Sequence, residues 1–149
     1  MKKILFISIG LIVIILSLSI LYFSTQTRGP KAKINGKEFN LEIAKTDSEK
    51  QIGLSKYKDI TQNFGMLFPF GKVNYYSFWM KDMKFSIDII FIKSNKIITI
   101  FKNVPAPKSI NEPLQIYKSS GPSDTVLEIK GGVSQKYNFQ VNQAVEINY

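Results

Sequence analysis

The sequence contains neither cysteine nor histidine, and each absence removes a class of chemistry. Without Cys there is no disulfide, no thiol nucleophile and no lipid-modified cysteine after the leading hydrophobic run, so the redox compartment leaves no mark on the chain. Without His there is no His-based triad, no imidazole metal ligand and no side chain suited by default to proton transfer near neutral pH. Acidic residues are also few. Eleven Asp and Glu stand against 20 Lys and Arg, a formal charge of +9, and setting aside Lys2 and Lys3 still leaves 18 basic against 11 acidic side chains from Arg28 onward. The lysines are scattered rather than run together, so they are expected to form a solvated basic surface that favours anionic surroundings, and nucleic acid is not an expected partner.

What the chain does have is hydrophobic residues, in two patterns. Ile4 to Phe23 is an apolar stretch of 20 residues without charge or proline, preceded by Lys2 and Lys3. As a helix it would cover about 30 Å, enough to cross the hydrocarbon of a bilayer. The only tempting small-x-small site, Ser17 with Ser19, lies inside the run rather than after it, which favours an uncleaved anchor over a removed signal. The expected organisation is a transmembrane anchor over residues 1–24, a tether over 25–31 containing Gly29-Pro30, and one domain over 32–149. Arg28, Lys31 and Lys33 compete with the basic head under the positive-inside rule. The short basic head before an apolar core nevertheless predicts a single pass through the cytoplasmic membrane with the domain on the extracytoplasmic side.

Beyond the tether the pattern is that of short strands. Lys31 to Ile34 and Lys37 to Ala44 flank Asn35-Gly36, residues that tolerate the positive φ of a tight hairpin turn. Thr46-Asp47-Ser48-Glu49 has the T-x-x-E spacing of a capping box, with Gly53 placed to stop the short helix it opens. Gly65 to Phe70, Tyr75 to Met80, Ile87 to Ile92, Ile97 to Val104, Ile116 to Ser119, Thr125 to Ile129 and Ala144 to Ile147 are β-prone and separated by turn residues. Pro105, Pro107 and Pro113 mark an irregular loop long enough to bind something. With no βαβ rhythm visible, these signals predict a mainly β fold: a single antiparallel β-sandwich or barrel-like domain with one short helix, preceded by an N-terminal transmembrane helix.

Several blocks occur in an ordered series: Gly65-Met66-Leu67-Phe68, Phe78-Trp79-Met80-Lys81-Asp82, Ile87-Asp88-Ile89-Ile90-Phe91-Ile92, and Val126-Leu127-Glu128-Ile129 ahead of Gly132. Together they resemble domain-of-unknown-function family 192, over roughly Leu41 to Ile147. The resemblance implies a compact β-sandwich, often exported or anchored, with no established activity and therefore no catalytic residue to carry over. Members often have Met and Arg after the helix, where this chain reads Gly53-Leu54-Ser55-Lys56, and Asn then Thr after Trp-Met-Lys, where it has Asp82-Met83. The first departure puts an Arg-dependent anion contact near Lys56 in doubt.

Candidate site residues follow from polarity in apolar places. Alternation puts Asp88 on one strand face with Ile90 and Ile92, where a carboxylate needs a partner such as Lys81, Lys84 or the Trp79 indole N–H. Trp79, Phe78, Tyr75 and Tyr76 would line a pocket or pack across strands. Lys81 with Asp82 and Asp88 lacks the donor density of a metal site, so neither metal nor cofactor is expected. Gly65 to Lys72 fails as a phosphate loop, and Ser119 and Ser120 lack a base. The sequence therefore predicts a binding or accessory module whose ligand-binding residues are Trp79, Lys81, Asp82 and Asp88, beside the loop from Pro105 to Tyr117, taking an anionic or carbohydrate ligand of the cell envelope. The alternatives are an enzyme acting on an envelope polymer or lipid head group through Asp88 and Lys81, and a structural subunit of a membrane complex.

Overall fold

Asn35 and Gly36 both take left-handed backbone, with φ of 47° and 78°, and so close a two-residue turn between β1 (Lys31–Ile34) and β2 (Lys37–Ile43). Positive φ at both central residues gives the turn a twist that matches that of the strands. This hairpin belongs to a computed structural model of the chain that describes residues 29–109 and 111–149, together with Ile15 and Ser17. The rest of the expected membrane anchor and most of the tether lie outside the described residues; among those described, no helix is long and apolar enough to cross a membrane.

The capping box forms as its spacing predicts. Thr46 Oγ1 accepts from Glu49 N at 3.2 Å while Glu49 Oε2 accepts from the backbone of Thr46 and Lys45 at 2.7 and 2.8 Å, opening α1 (Asp47–Ile52). Gly53 ends it at φ 51°, ψ −142°, a conformation that only glycine adopts without strain. A 3₁₀ turn over Gly53–Lys56 follows. This segment carries the chain back across the sheet, so that β3 (Phe64–Asn74) lies parallel to β2, with Asn40 opposite Phe64 and Ile43 opposite Leu67. The fold is therefore not purely antiparallel: residues 44–63 form one crossover of the length a parallel pair requires.

The remaining strands are β4 (Ser77–Trp79), β5 (Ile87–Lys93), β6 (Lys96–Val104), β7 (Ile116–Lys118), β8 (Ser123–Lys130) and β9 (Val145–Asn148). A second short helix, α2 (Val133–Lys136), precedes β9. Seven strands form one mixed sheet in the order β6-β5-β8-β3-β2-β1-β9, while β4 and β7 form a separate ribbon. The large sheet curls until its edges approach at the bridge Lys96–Ala144, where Val145 N donates to Asn95 O and Ile97 N to Gln143 O. Of the two expected forms, sandwich or barrel-like domain, the curled sheet is a half-barrel, though mixed rather than antiparallel, and the single expected helix is joined by a 3₁₀ turn and α2. Curling satisfies edge groups that an open sheet would leave unpaired.

Both faces of this sheet are covered. Ile34, Phe39, Leu67, Ile90, Leu127 and Phe139 belong to the core inside the curl. Met66, Phe68, Ile89, Phe91 and Val126 face the other way, where Leu54 of the 3₁₀ turn, Met83 and the β4–β7 ribbon cover them. Residues Ile87 to Ile92 are all buried, which is why β5 is apolar on both faces except at Asp88.

Candidate functional site

Glu128 lies in the middle of β8, opposite Met66 on β3 and Ile89 on β5, and thus on the outer face of the sheet. Only 4% of it is exposed, and among the described residues nothing hydrogen-bonds or ion-pairs with its carboxyl group. Burial without compensation disfavours the charged form. It pushes the Glu128 pKa up to about 8, so the side chain is a neutral acid at pH 7.

The cavity beside it is built from three segments. Gly53 and Leu54 come from the 3₁₀ turn after α1, Phe78, Trp79, Lys81 and Met83 from the β4 region, and Phe68 and Glu128 from the sheet. Together they enclose about 340 Å³, at the small end of the range for small-molecule sites. Gly53 keeps it open: a Cβ there would stand 3.8 Å from Glu128 Oε2 and 3.6 Å from the Phe68 ring. The aromatic wall is ordered by its own contacts, Phe78 meeting Phe68 edge-on at 5.1 Å and Phe91 at 5.7 Å, while Phe70 stacks on Tyr76 at 3.6 Å. Asp47 and Lys50 of α1 also line it, with Lys50 Nζ 5.0 Å from the Phe70 ring centre.

The four residues singled out by the sequence are distributed differently. Trp79, 46% exposed, and Lys81 line the Glu128 cavity. Asp82 lines an adjoining depression of about 420 Å³ with Pro107, Ser109, Glu112 and Leu114 of the proline-rich loop, and Lys81 and Met83 border both. Asp88 is brought to neither. Fully buried, it faces the inside of the curl, where Oδ1 accepts from Asn103 N at 2.6 Å and Gly132 N at 2.9 Å, and Oδ2 from Ser134 N at 2.6 Å. The side-chain partners expected for it are engaged elsewhere or not at all with it: Lys84 Nζ donates to Ser55 O at 2.9 Å. Asp88 thus ties β6 and the start of α2 to β5.

Lys56, where the sequence departs from the resembled pattern, is paired with Glu42, which also accepts from the Tyr57 hydroxyl. Burial would raise the Glu42 carboxyl, but these contacts outweigh it and hold it below the usual range. Among the described residues no group of three or more acidic, His or Cys side chains is close enough to hold a metal ion.

Glu128 is the residue that sequence reasoning passed over. Its signal was present: a single charge between Val126 and Ile129 in a strand otherwise apolar through its middle, which marks an edge or a site, and β8 is central.

Comparison with known proteins adds a family and two folds. A family model described as "Uncharacterized ACR" matches residues 30–147. A Novosphingobium aromaticivorans DSM 12444 crystal structure, of a protein of unknown function, is 25% identical over 78% of this chain and 82% of its own, with a TM-score of 0.69. A Sinorhizobium meliloti 1021 crystal structure, described as a "putative transcription regulator", is 26% identical over 79% of this chain and 91% of its own, with a TM-score of 0.68. No curated protein matches the chain.

Proposed function

The chain belongs to that family, DUF192, and from this premise we propose that it is a ligand-binding module which uses the Glu128 cavity to hold an envelope-derived carbohydrate or anion. The observation that carries the reading is the partnerless carboxyl group of Glu128 on the wall of a cavity of about 340 Å³. An acid group left without a hydrogen bond costs stability of roughly 1–3 kcal/mol or more, a cost that a ligand able to pair with it would offset. Trp79 and Lys81 supply a stacking surface and a cation at the same cavity. In this reading residues 4–23 hold the module at the cytoplasmic membrane, with the domain on the extracytoplasmic side.

Trp79 is the only tryptophan, so its fluorescence reports directly on the site. Titration of the full chain in detergent with monosaccharides and small anions is expected to shift or quench it, and Glu128→Leu to abolish the response without lowering the melting temperature. No response to any of them in the intact protein would overturn the proposal.

One feature favours a second reading, in which the cavity is an active site. A carboxylic acid still protonated at neutral pH in a cleft is suited to general acid catalysis. Hydrolysis of an aryl glycoside that falls off above pH 8 and disappears in Glu128→Gln would favour this reading over simple binding.

A further inference from the structure

Resting on the reading of this cavity as a ligand site, we infer that its ligand is an acidic sugar: a single pyranose ring whose vicinal hydroxyls pair with Glu128 and whose carboxylate or phosphate meets Lys50 and Lys81. Glu128, on the cavity wall, sets one end of the ligand. A neutral carboxylic acid presents one O–H donor beside one carbonyl acceptor, and two adjacent sugar hydroxyls offer the matching acceptor and donor. The walls next to it, Leu54, Phe68, Phe78 and Met83, suit the apolar face of a pyranose, and Trp79 offers a further stacking surface.

Charge sets the other end. The charged or titratable groups lining the cavity besides Glu128 are Asp47 and Lys50 of α1, Tyr76, and Lys81. Met66 and Ile89, which flank Glu128 on its two neighbouring strands, bring none. Two ammonium groups against one ionised carboxylate favour an anion. A cationic sugar would have to approach the lysines and strip the proton from Glu128, whereas an anionic one requires Glu128 to stay neutral.

The test uses the full chain in detergent, Trp79 fluorescence, and four probes: glucuronic acid, glucose 6-phosphate, glucose and glucosamine. The two acidic sugars should bind at least about tenfold more tightly than glucose, and the difference between them tells a carboxylate ligand from a phosphate ligand. The double variant Lys50→Met, Lys81→Met should reduce both to the glucose level. Because the ligand needs the acid form, affinity should fall about tenfold from pH 7 to pH 9, as expected for a group ionising near 8. Glu128→Gln, which keeps a donor beside an acceptor, should retain binding and lose this pH dependence. Glucose or glucosamine binding as tightly as the acidic sugars, or affinity rising with pH, would overturn the acidic-sugar assignment and leave the binding module standing. Silence toward all four probes would count against both.

Discussion

Asp88 and Glu128 occupy neighbouring strands of one sheet and face opposite sides of it, Asp88 lying opposite Ile129 and Glu128 opposite Ile89. The first spends its carboxyl oxygens on three backbone N–H groups. The second has no donor among the described residues and opens onto a cavity. Two buried acids a strand apart are therefore held differently, one bracing the backbone and the other facing a cavity.

Asp88→Asn should destabilise the fold without touching the ligand site. The amide turns an acceptor into a donor that faces backbone N–H groups, and a buried mismatch of this sort costs about 2–3 kcal/mol. Urea denaturation should show that loss, while the Trp79 response to ligand stays intact in the fraction that is folded. An Asp88→Asn protein as stable as the parent would contradict the bracing role.

Glu128 should make the protein less stable as pH rises through neutrality. Its folded pKa of about 8 lies above the value for an unfolded chain, so between about 4.5 and 8 the native state binds more protons than the unfolded one, and stability declines across that window. The accumulated loss at pH 7 is about 3 kcal/mol at roughly 1.4 kcal/mol per unit. Glu128→Gln removes the titration, and should flatten the pH profile and raise stability at pH 7 by roughly 1–3 kcal/mol. Thermal melts of both proteins from pH 4.5 to 8.5 provide the comparison.

Gly53→Ala tests the floor of the cavity. The backbone there, at φ 51°, penalises any side chain, and about 1–2 kcal/mol of stability should be lost. The added methyl would meet Glu128 and Phe68 at ordinary contact distance, so the variant should fold. Its ligand affinity should fall because the methyl occupies space at Glu128, and unchanged affinity would place the ligand elsewhere.

The anchor proposal makes its own prediction. If Ile4 to Phe23 crosses the bilayer, the full chain should resist extraction from vesicles by alkaline carbonate, and deletion of residues 1–24 should release it. Added protease should reach the domain of intact spheroplasts. Extraction of the full chain, or complete protection of the domain, would refute the anchor or its orientation.

Much of this protein is written in short-range signals. The turn at Asn35-Gly36, the Thr46–Glu49 capping box, the stop at Gly53 and the approximate strand positions were all legible, because each depends on backbone preferences of residues within a few positions of one another. Of the four residues singled out as a site, Trp79 and Lys81 line one cavity. Other features depended on partners distant in the chain. The parallel pairing of β2 with β3, the curl that brings Lys96 to Ala144, and α2, whose four residues follow a left-handed Gly132, leave no periodic trace. Asp88 and Glu128 show the limit most clearly. In sequence each is one acid in an apolar strand, and alternation says only which neighbours share its face. Which face meets backbone donors and which meets a cavity is decided by what packs there from elsewhere in the chain, since the cost of burying a carboxyl group depends on the groups around it in space and not on those beside it in sequence.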